Sequence, residues 1–319
     1  DDRMQEWVIA TDAAGMRLDL WLVRHGGAGS RSRAATWLER GKVFVDGQAA
    51  GPPEAARRLA AGARVGVWMD RPGSARAADR FAHERRHLLA IVAEDAAIVV
   101  ADKPAGMLVE PLPGRGGEEV TLLDLLRHHV RHEPRASLHV VHRIDRDTSG
   151  LVLFARTADA RDALKAQFER RTPARVYQAV LEGTVRPASG TWNDQLAWDA
   201  ARLRQRQAHA TDVRAKEAVA DYTVVEQFDL AALVEVSLVT GKRNQIRVQA
   251  GVRGHPLVGE RQYRFGAPAP APGLPAMDRQ ALHAWRLGFR HPSTGRPVTL
   301  TADLPDDFRR LLEALRSRP

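Results

Sequence analysis

The sequence HVVHRIDRDTSGLVLFA, residues 139–155, decides the fold of the chain. An apolar run leads into the polar segment 143–150, and a second apolar run, residues 151–155, follows at once. This pattern predicts a strand, a tight turn and a second strand. Residues 147–150, DTSG, supply the turn, because their side chains bond to nearby backbone and glycine tolerates positive φ.

Two interpretations of the polar segment are open from its residues alone. In the first it is a charged hairpin, in which Asp145 pairs with Arg143 or Arg146, and such turns are common. In the second Asp145 is a catalytic carboxylate, held rigidly between two buried strands as catalysis requires.

Residues 142–150, HRIDRDTSG, closely resemble the signature of the RluA-type pseudouridine synthases, H-R-L-D-x-x-T-S-G, with Ile144 as a conservative departure. In that family the aspartate is the catalytic residue, so the resemblance implies a catalytic Asp145. It also implies that Arg143 fills or braces the space that a flipped-out base vacates. His142 is included in the predicted substrate site.

Further segments resemble elements of the same family and occur in the family's order. They are residues 102–111 (against N-K-P-A-G-x-x-V-H-P), 175–183 (K/R-x-Y-x-A-x-V-x-G), 240–249 (T-G-R-T-H-Q-I-R-V-H) and 254–259 (G-H-P-L-x-G). Asp102 and Glu110 replace the family's Asn and His, and Arg243, Asn244 and Gln249 also depart from its pattern.

The resemblance implies roles for four more residues. Tyr177 would lie in the active site, although an isolated tyrosine is more often a core aromatic with a satisfied hydroxyl. Arg247 would pair with Asp145 and hold it ionised and oriented. Lys103 would contact a phosphate, and Gln245 would bind the substrate.

The amino-terminal part of the chain shows a second pattern, R-L-D-x-x-L, then S-R-S-R, then G-x-V-x-V-x-G. This order resembles the small alpha-L RNA-binding domain first seen in ribosomal protein S-four. Arg17, Arg31, Arg33 and Lys42 match its basic positions and would meet RNA phosphates. An ordinary small helical domain with solvated arginines is the alternative.

We therefore expect a tail at residues 1–15, the RNA-binding domain at 16–70, a basic linker at 71–87 and the catalytic domain at 88–319. The linker lacks apolar periodicity and contains Pro, Gly and Ser. The expected fold class is α+β: a mixed, mainly antiparallel sheet of pseudouridine synthase type, plus a small α+β amino-terminal domain.

Composition agrees with a nucleic-acid partner. The chain of 319 residues has a formal net charge of +9 and a pI of about 10.6, which favours a polyanionic partner. Because it contains no cysteine, disulfides, thiolate catalysis and cysteine-bound zinc are excluded, which fits a reducing compartment. No signal peptide or membrane-length apolar run is visible, so we expect a cytoplasmic protein.

The expected function is isomerisation of uridine to pseudouridine in RNA, by a monomer that needs neither cofactor nor metal. The amino-terminal domain favours large-subunit ribosomal RNA over transfer RNA. Two alternatives remain: an RNA-binding or ribosome assembly protein that keeps this fold without catalysis, and a nucleoside hydrolase that would release free uracil.

Overall fold

The structure, a computed structural model, describes residues 4–69, 86–111, 119–131, 133, 137–209 and 211–318. The chain divides into two compact units. Among the described residues, the first unit contains 4–69 and 119, and the second contains 86–111 and those within 120–318. Most of the predicted basic linker lies outside the described residues.

The first unit packs two helices against a four-stranded antiparallel sheet of order β1-β4-β2-β3. Its elements are β1 (Gln5–Val8), α1 (Leu18–Arg24), α2 (Arg31–Glu39), β2 (Val43–Val45), β3 (Gln48–Ala50) and β4 (Arg64–Val67), with short 3-10 turns at Thr11–Ala13 and Pro52–Ala56. The Ser30 hydroxyl caps α2 by accepting a hydrogen bond from the Arg33 backbone N–H at 3.2 Å. Leu18, Trp21 and Leu38 lie in its core.

The segment predicted as an amino-terminal tail contains strand β1. All four of its residues pair with β4, and the ring of Trp7 lies edge-on to the ring of Trp21 with centroids 5.7 Å apart. Ile9 follows and is buried. Its partner, β4, lies about sixty residues further along the chain, so no local sequence pattern predicts this strand.

The second unit is built on one large sheet with the order β11-β10-β12-β13-β9-β14-β8-β6-β5, in which β15 also pairs with β14 and β7 with β8. The strands are β5 (Ala90–Glu94), β6 (Ile98–Lys103), β7 (His139–Val140), β8 (Ser149–Ala155), β9 (Ala174–Glu182), β10 (Ser189–Asp199), β11 (Arg204–Gln207), β12 (Lys216–Gln227), β13 (Ala231–Leu238), β14 (Leu282–Arg290) and β15 (Pro297–Thr301). Of the strand pairs in the described residues, β14 with β8 is the parallel one. The predicted α+β class with a mainly antiparallel sheet is confirmed.

Four helices accompany this sheet among the described residues, together with a 3-10 turn at Arg86–Leu88: α3 (Leu122–His129), α4 (Ala158–Glu169), α5 (Gln245–Val252) and α6 (Asp306–Arg316). Thr121 caps α3 and Thr157 caps α4, each through its hydroxyl. Helix α4 buries Leu164 beside β8, and α6 buries Phe308 against β9 and β13. None of the helices in the described part of the chain is long and apolar enough to cross a membrane.

Residues 139–155 form two strands, as predicted, but the connection between them is longer than a tight turn. Strands β7 and β8 pair antiparallel, and residues 141–148 form the loop that carries Asp145. Ser149, which we expected in the turn, begins the fully buried β8. Its hydroxyl lies 2.9 Å from Nδ1 of the buried His283 on β14, and this contact holds it in the sheet.

Gly150 is required by the close approach of β8 and β14. Its φ is +113°, and an added Cβ would lie 2.3 Å from the carbonyl oxygen of Ala284. We predict that Gly150→Ala lowers the unfolding free energy of the second unit by more than about 3 kcal/mol, measured by urea denaturation. Gly295→Ala is the control: its φ is also positive but the space beside it is open, so a cost of about 1 kcal/mol is expected. Equal costs would contradict the packing argument.

Candidate active site

Two side chains from the start of α5 converge on one oxygen of Asp145. The amide Nδ2 of Asn244 donates a hydrogen bond to Asp145 Oδ2 at 2.7 Å, and Nη1 of Arg247 lies 3.5 Å from the same oxygen. In the described part of the chain, Oδ1 of Asp145 receives no hydrogen bond. The carboxylate is therefore held through Oδ2, and 24% of its side chain is exposed.

The predicted pairing of Arg247 with Asp145 exists, but the principal partner of Arg247 is Glu260. Arg247 donates two hydrogen bonds to Glu260, at 2.7 and 2.9 Å, and the Glu260 side chain is fully buried. Burial alone would raise the pKa of Glu260, but the hydrogen bonds from Arg247 and from the backbone N–H groups of Gln262 and Tyr263 hold it below its usual value. Glu260 thus remains a carboxylate and fixes the guanidinium that faces Asp145.

Asn244 is oriented by a chain of hydrogen bonds with one possible polarity. The Asp145 carboxylate only accepts hydrogen bonds, so the Asn244 amide turns Oδ1 to the Tyr263 hydroxyl, which donates to it at 3.0 Å and itself accepts from the Gln205 N–H at 3.2 Å. The Asn244 NH₂ group must therefore point to Asp145. Burial raises the pKa of Tyr263, which keeps its hydroxyl protonated for this role. Asn244 also has a φ of 54°, a left-handed conformation that asparagine tolerates well.

Tyr177 lies in β9 with 8% of its surface exposed. The pKa of Tyr177 is raised to about 12, chiefly by burial; the charge of Arg175 opposes the shift and the negative charge of Asp145 adds to it. Tyr177 is therefore close enough to Asp145 for the charge of the carboxylate to act on its phenol. Its phenol is protonated at neutral pH.

Lys103, which is predicted to contact a phosphate, lies in the interior. Lys103 is completely buried, and Nζ donates to the carbonyl oxygens of Pro104 (2.9 Å), Met107 (2.7 Å) and Arg146 (2.8 Å). Burial lowers the pKa of Lys103 to about 7, against the opposing charges of Asp147 and Asp145. With its three protons directed to carbonyls, this side chain fixes the backbone next to Asp145.

Gln245 is also buried, and its side chain bonds to other groups of the protein interior. Its Oε1 accepts hydrogen bonds from the Thr240 hydroxyl and the Lys242 N–H, and its Nε2 donates to Val219 O and to Gln249 Oε1. Gln249 is fully buried too and donates to Asp194 and to the backbone. These amides pin α5 to β10 and β12, so the predicted substrate contact of Gln245 is not supported.

His142 packs inside the unit. Its ring stacks on Phe168 with centroids 5.0 Å apart, and its Nε2 accepts a hydrogen bond from the Leu153 N–H at 3.0 Å. Burial lowers the pKa of His142 to about 3, and the charge of Arg175 adds to the effect. A neutral ring bonded to β8 supports the sheet through Nε2.

Arg143 is the predicted substrate contact that remains exposed. Its guanidinium lies 3.5 Å from Glu110, and 59% of the side chain is accessible to solvent. Glu110 stands where the family pattern has histidine. The partner is itself accessible, so this ion pair is weak enough to exchange for an RNA contact.

The four predicted RNA contacts of the first unit all lie on or beside α1 and α2. Arg17 precedes α1 and pairs with Asp19 through two hydrogen bonds, whereas Arg31 and Arg33 are exposed in the first turn of α2. The Arg33 guanidinium lies 5.7 Å from the Trp37 ring, and Lys42 donates to the Met69 carbonyl oxygen. Arg31 and Arg33 are thus the more available of the four.

Comparison with known proteins places the chain among enzymes that modify RNA. A family model described as RNA pseudouridylate synthase matches residues 97–251, and one described as S4 domain matches residues 16–53. The chain is 34% identical to ribosomal large subunit pseudouridine synthase D of Nitrosomonas europaea, over 98% of this chain and 88% of the relative. The Pseudomonas aeruginosa protein of the same name is 36% identical over 97% of this chain and 94% of its own.

Among solved structures, human RNA pseudouridylate synthase domain containing 4 aligns with a TM-score of 0.61. The two chains are 23% identical, and the alignment covers 75% of this chain and 97% of the human one. This likeness concerns the fold.

The position of Lys103 leads to a stability prediction. Lys103→Met should lower the unfolding free energy by at least about 2 kcal/mol in urea denaturation, because three buried carbonyls lose their donor. Lys165→Met, which removes an exposed lysine, is the control and should be nearly neutral. If Lys103 were a phosphate contact, Lys103→Met would instead leave stability unchanged and reduce the salt dependence of RNA binding.

Proposed function

Because the chain belongs to the RNA pseudouridylate synthase family, we propose that it isomerises uridine to pseudouridine in large-subunit ribosomal RNA. The relatives named for that substrate match nearly the whole chain, and the chain covers most of their length, which supports this target. The matching S4 domain supports an RNA partner with its own binding unit. Such a substrate also supports the cytoplasmic location expected from the sequence.

The observation that carries the proposal is the one-sided support of Asp145. Pseudouridine synthesis breaks the bond between ribose and the uracil ring nitrogen, turns the base, and joins the sugar to ring carbon five. A carboxylate can serve as nucleophile toward the sugar or as base for a sugar proton. Both roles need an oriented carboxylate with a free oxygen, and the contacts of Asn244 and Arg247 with Oδ2 support that arrangement.

Tyr177 is proposed to pack against the uracil during this reaction. Its buried position and its pKa of about 12 support a protonated phenol at neutral pH. A protonated hydroxyl takes up a proton from ring carbon five only if it passes its own to another group. We therefore assign packing as the first role of Tyr177 and proton transfer as a second role.

Arg143 is proposed to brace the space that the target base leaves in the RNA. Extrusion of a base costs a few kcal/mol, which contacts with the protein must offset. The exposed guanidinium of Arg143 and its weak pairing with Glu110 support a side chain that exchanges partners when RNA binds. Exposed Arg31 and Arg33 would add phosphate contacts, so binding should weaken steeply with salt.

The test of the proposal is tritium release from RNA labelled at carbon five of uracil. Wild type should release tritium from large-subunit ribosomal RNA, whereas Asp145→Asn should lose turnover by at least about three orders of magnitude and keep its RNA affinity. Asp124→Asn, a change of the same kind on α3, is the control and should keep its turnover.

Each other outcome identifies an alternative. Release from transfer RNA alone would contradict the proposed target. Absence of release with both RNAs, while RNA binding persists, would leave an RNA-binding protein without catalysis. Free uracil among the products would indicate a hydrolase.

A further inference from the structure

A cavity of about 430 Å³ lies at the opposite end of α5 from Asp145. Its walls come from β9, β10 and β12, from the segment that joins β9 to β10, and from the carboxyl end of α5. The helix has eight residues and spans about 12 Å. The lining contains neither Asp145 nor the residues that hold it, Asn244 and Arg247, so the cavity is a separate site.

Two aromatic side chains line the cavity. Trp192 on β10 and Tyr222 on β12 stack with ring centroids 5.0 Å apart, and the Tyr222 hydroxyl donates to the Pro187 carbonyl oxygen at 3.1 Å. Gly190 pairs with Tyr222 across the sheet, and a Cβ added there would lie 3.1 Å from the tyrosine ring. The glycine thus leaves the edge of this ring open to the cavity.

The charged residues that line the cavity are all basic: Arg186, Arg253 and His255. Arg186 is exposed and makes no hydrogen bond or ion pair within the described part of the chain. The Arg253 guanidinium is fixed by Asp194 at 2.8 Å and lies 5.5 Å from the Trp192 ring centroid. His255 has Nδ1 2.9 Å from the Glu182 carbonyl oxygen, which places a proton on that nitrogen.

Two carboxylates beside these basic residues, Asp194 and Glu182, are already paired, and a third, Asp221, accepts a hydrogen bond from the Thr191 hydroxyl of the lining at 2.6 Å. Asp194 accepts hydrogen bonds from Arg253 and from the side chains of Gln207 and Gln249. The Glu182 carboxylate is held by Arg264 at 2.6 and 2.9 Å. The cavity therefore presents the guanidinium of Arg186, which pairs with no carboxylate of the described residues, beside aromatic walls in a chain of net charge +9.

We propose that this cavity binds a nucleotide other than the uridine being modified. The base would lie against the aromatic edges of Trp192 and Tyr222, and its phosphate would contact Arg186. Aromatic rings beside arginine are the usual means by which proteins hold an unpaired base and its phosphate. The cavity is within the size range of sites for such small ligands.

The bound nucleotide has two possible sources: it is either part of the RNA substrate near the target uridine or a free mononucleotide. The first source rests on the proposed function, and the second does not. Arg186→Glu separates them, with Arg310→Glu as the matched control, because Arg310 is exposed on α6, lies outside the cavity lining and undergoes the same charge change.

The first measurement is steady-state tritium release from a ribosomal RNA fragment. For a nucleotide of the substrate, Arg186→Glu should raise KM by about tenfold or more with kcat unchanged, and Arg310→Glu should change KM less than about twofold. Direct RNA binding by both variants gives the same comparison without catalysis. It still tests the cavity if the wild type releases no tritium.

The second measurement is titration with uridine 5′-monophosphate, followed by tryptophan fluorescence. Saturable quenching that is lost in Trp192→Phe and in Arg186→Glu, with KM for RNA unchanged, would identify a free nucleotide as the ligand. The proposal is overturned if Arg186→Glu matches Arg310→Glu in RNA binding and KM, and no mononucleotide quenching depends on Trp192.

Discussion

The candidate site depends on the buried ion pair between Arg247 and Glu260. Glu260 is fully enclosed, so its charge requires partners, and Arg247 supplies two hydrogen bonds while two backbone N–H groups supply two more. Removal of one member of such a pair typically costs about 3–5 kcal/mol, because the other is left charged and buried. The pair therefore ties the segment after residue 259 to α5 and directs the remaining guanidinium nitrogen toward Asp145.

A second constraint acts on the same carboxylate through neutral groups. The Gln205 N–H, the Tyr263 hydroxyl and the Asn244 amide form a sequence of donors that ends at Asp145. From the other side, Lys103 holds the carbonyl oxygen of Arg146, the residue that follows Asp145. Backbone and side chain of the loop are thus fixed by separate interactions. Such preorganisation lowers the reorganisation needed when a substrate arrives.

The resemblance to the pseudouridine synthases and the α+β class were read correctly from the sequence, because they rest on local motifs and alternating strands. The interior contacts of Lys103, His142 and Gln245 could not be predicted in this way, because a motif does not reveal whether a polar side chain points to the substrate or to the interior. These three side chains support the backbone around the site. A motif can therefore contain a polar residue for structural support as well as for contact with the substrate.

Asn244, Glu260 and Tyr263 were missed for a different reason. The contact of Asn244 with Asp145 joins residues 99 positions apart, and no periodicity encodes it. The one available signal was the departure at Asn244, where an amide replaces the family's histidine and can still donate a hydrogen bond. The motif around Glu260 ends at Gly259, so the buried carboxylate lay just beyond the matched pattern.

The central claim is that α5 positions Asp145 through Asn244, and the single-turnover rate of Asn244→Ala tests it most directly. The rate on bound RNA should fall by about tenfold or more with RNA affinity unchanged, since the carboxylate loses the donor that lies 2.7 Å from Oδ2. Asn244→His, which restores an N–H donor, should recover much of the rate. An Asn244→Ala protein with the full wild-type rate would contradict the account.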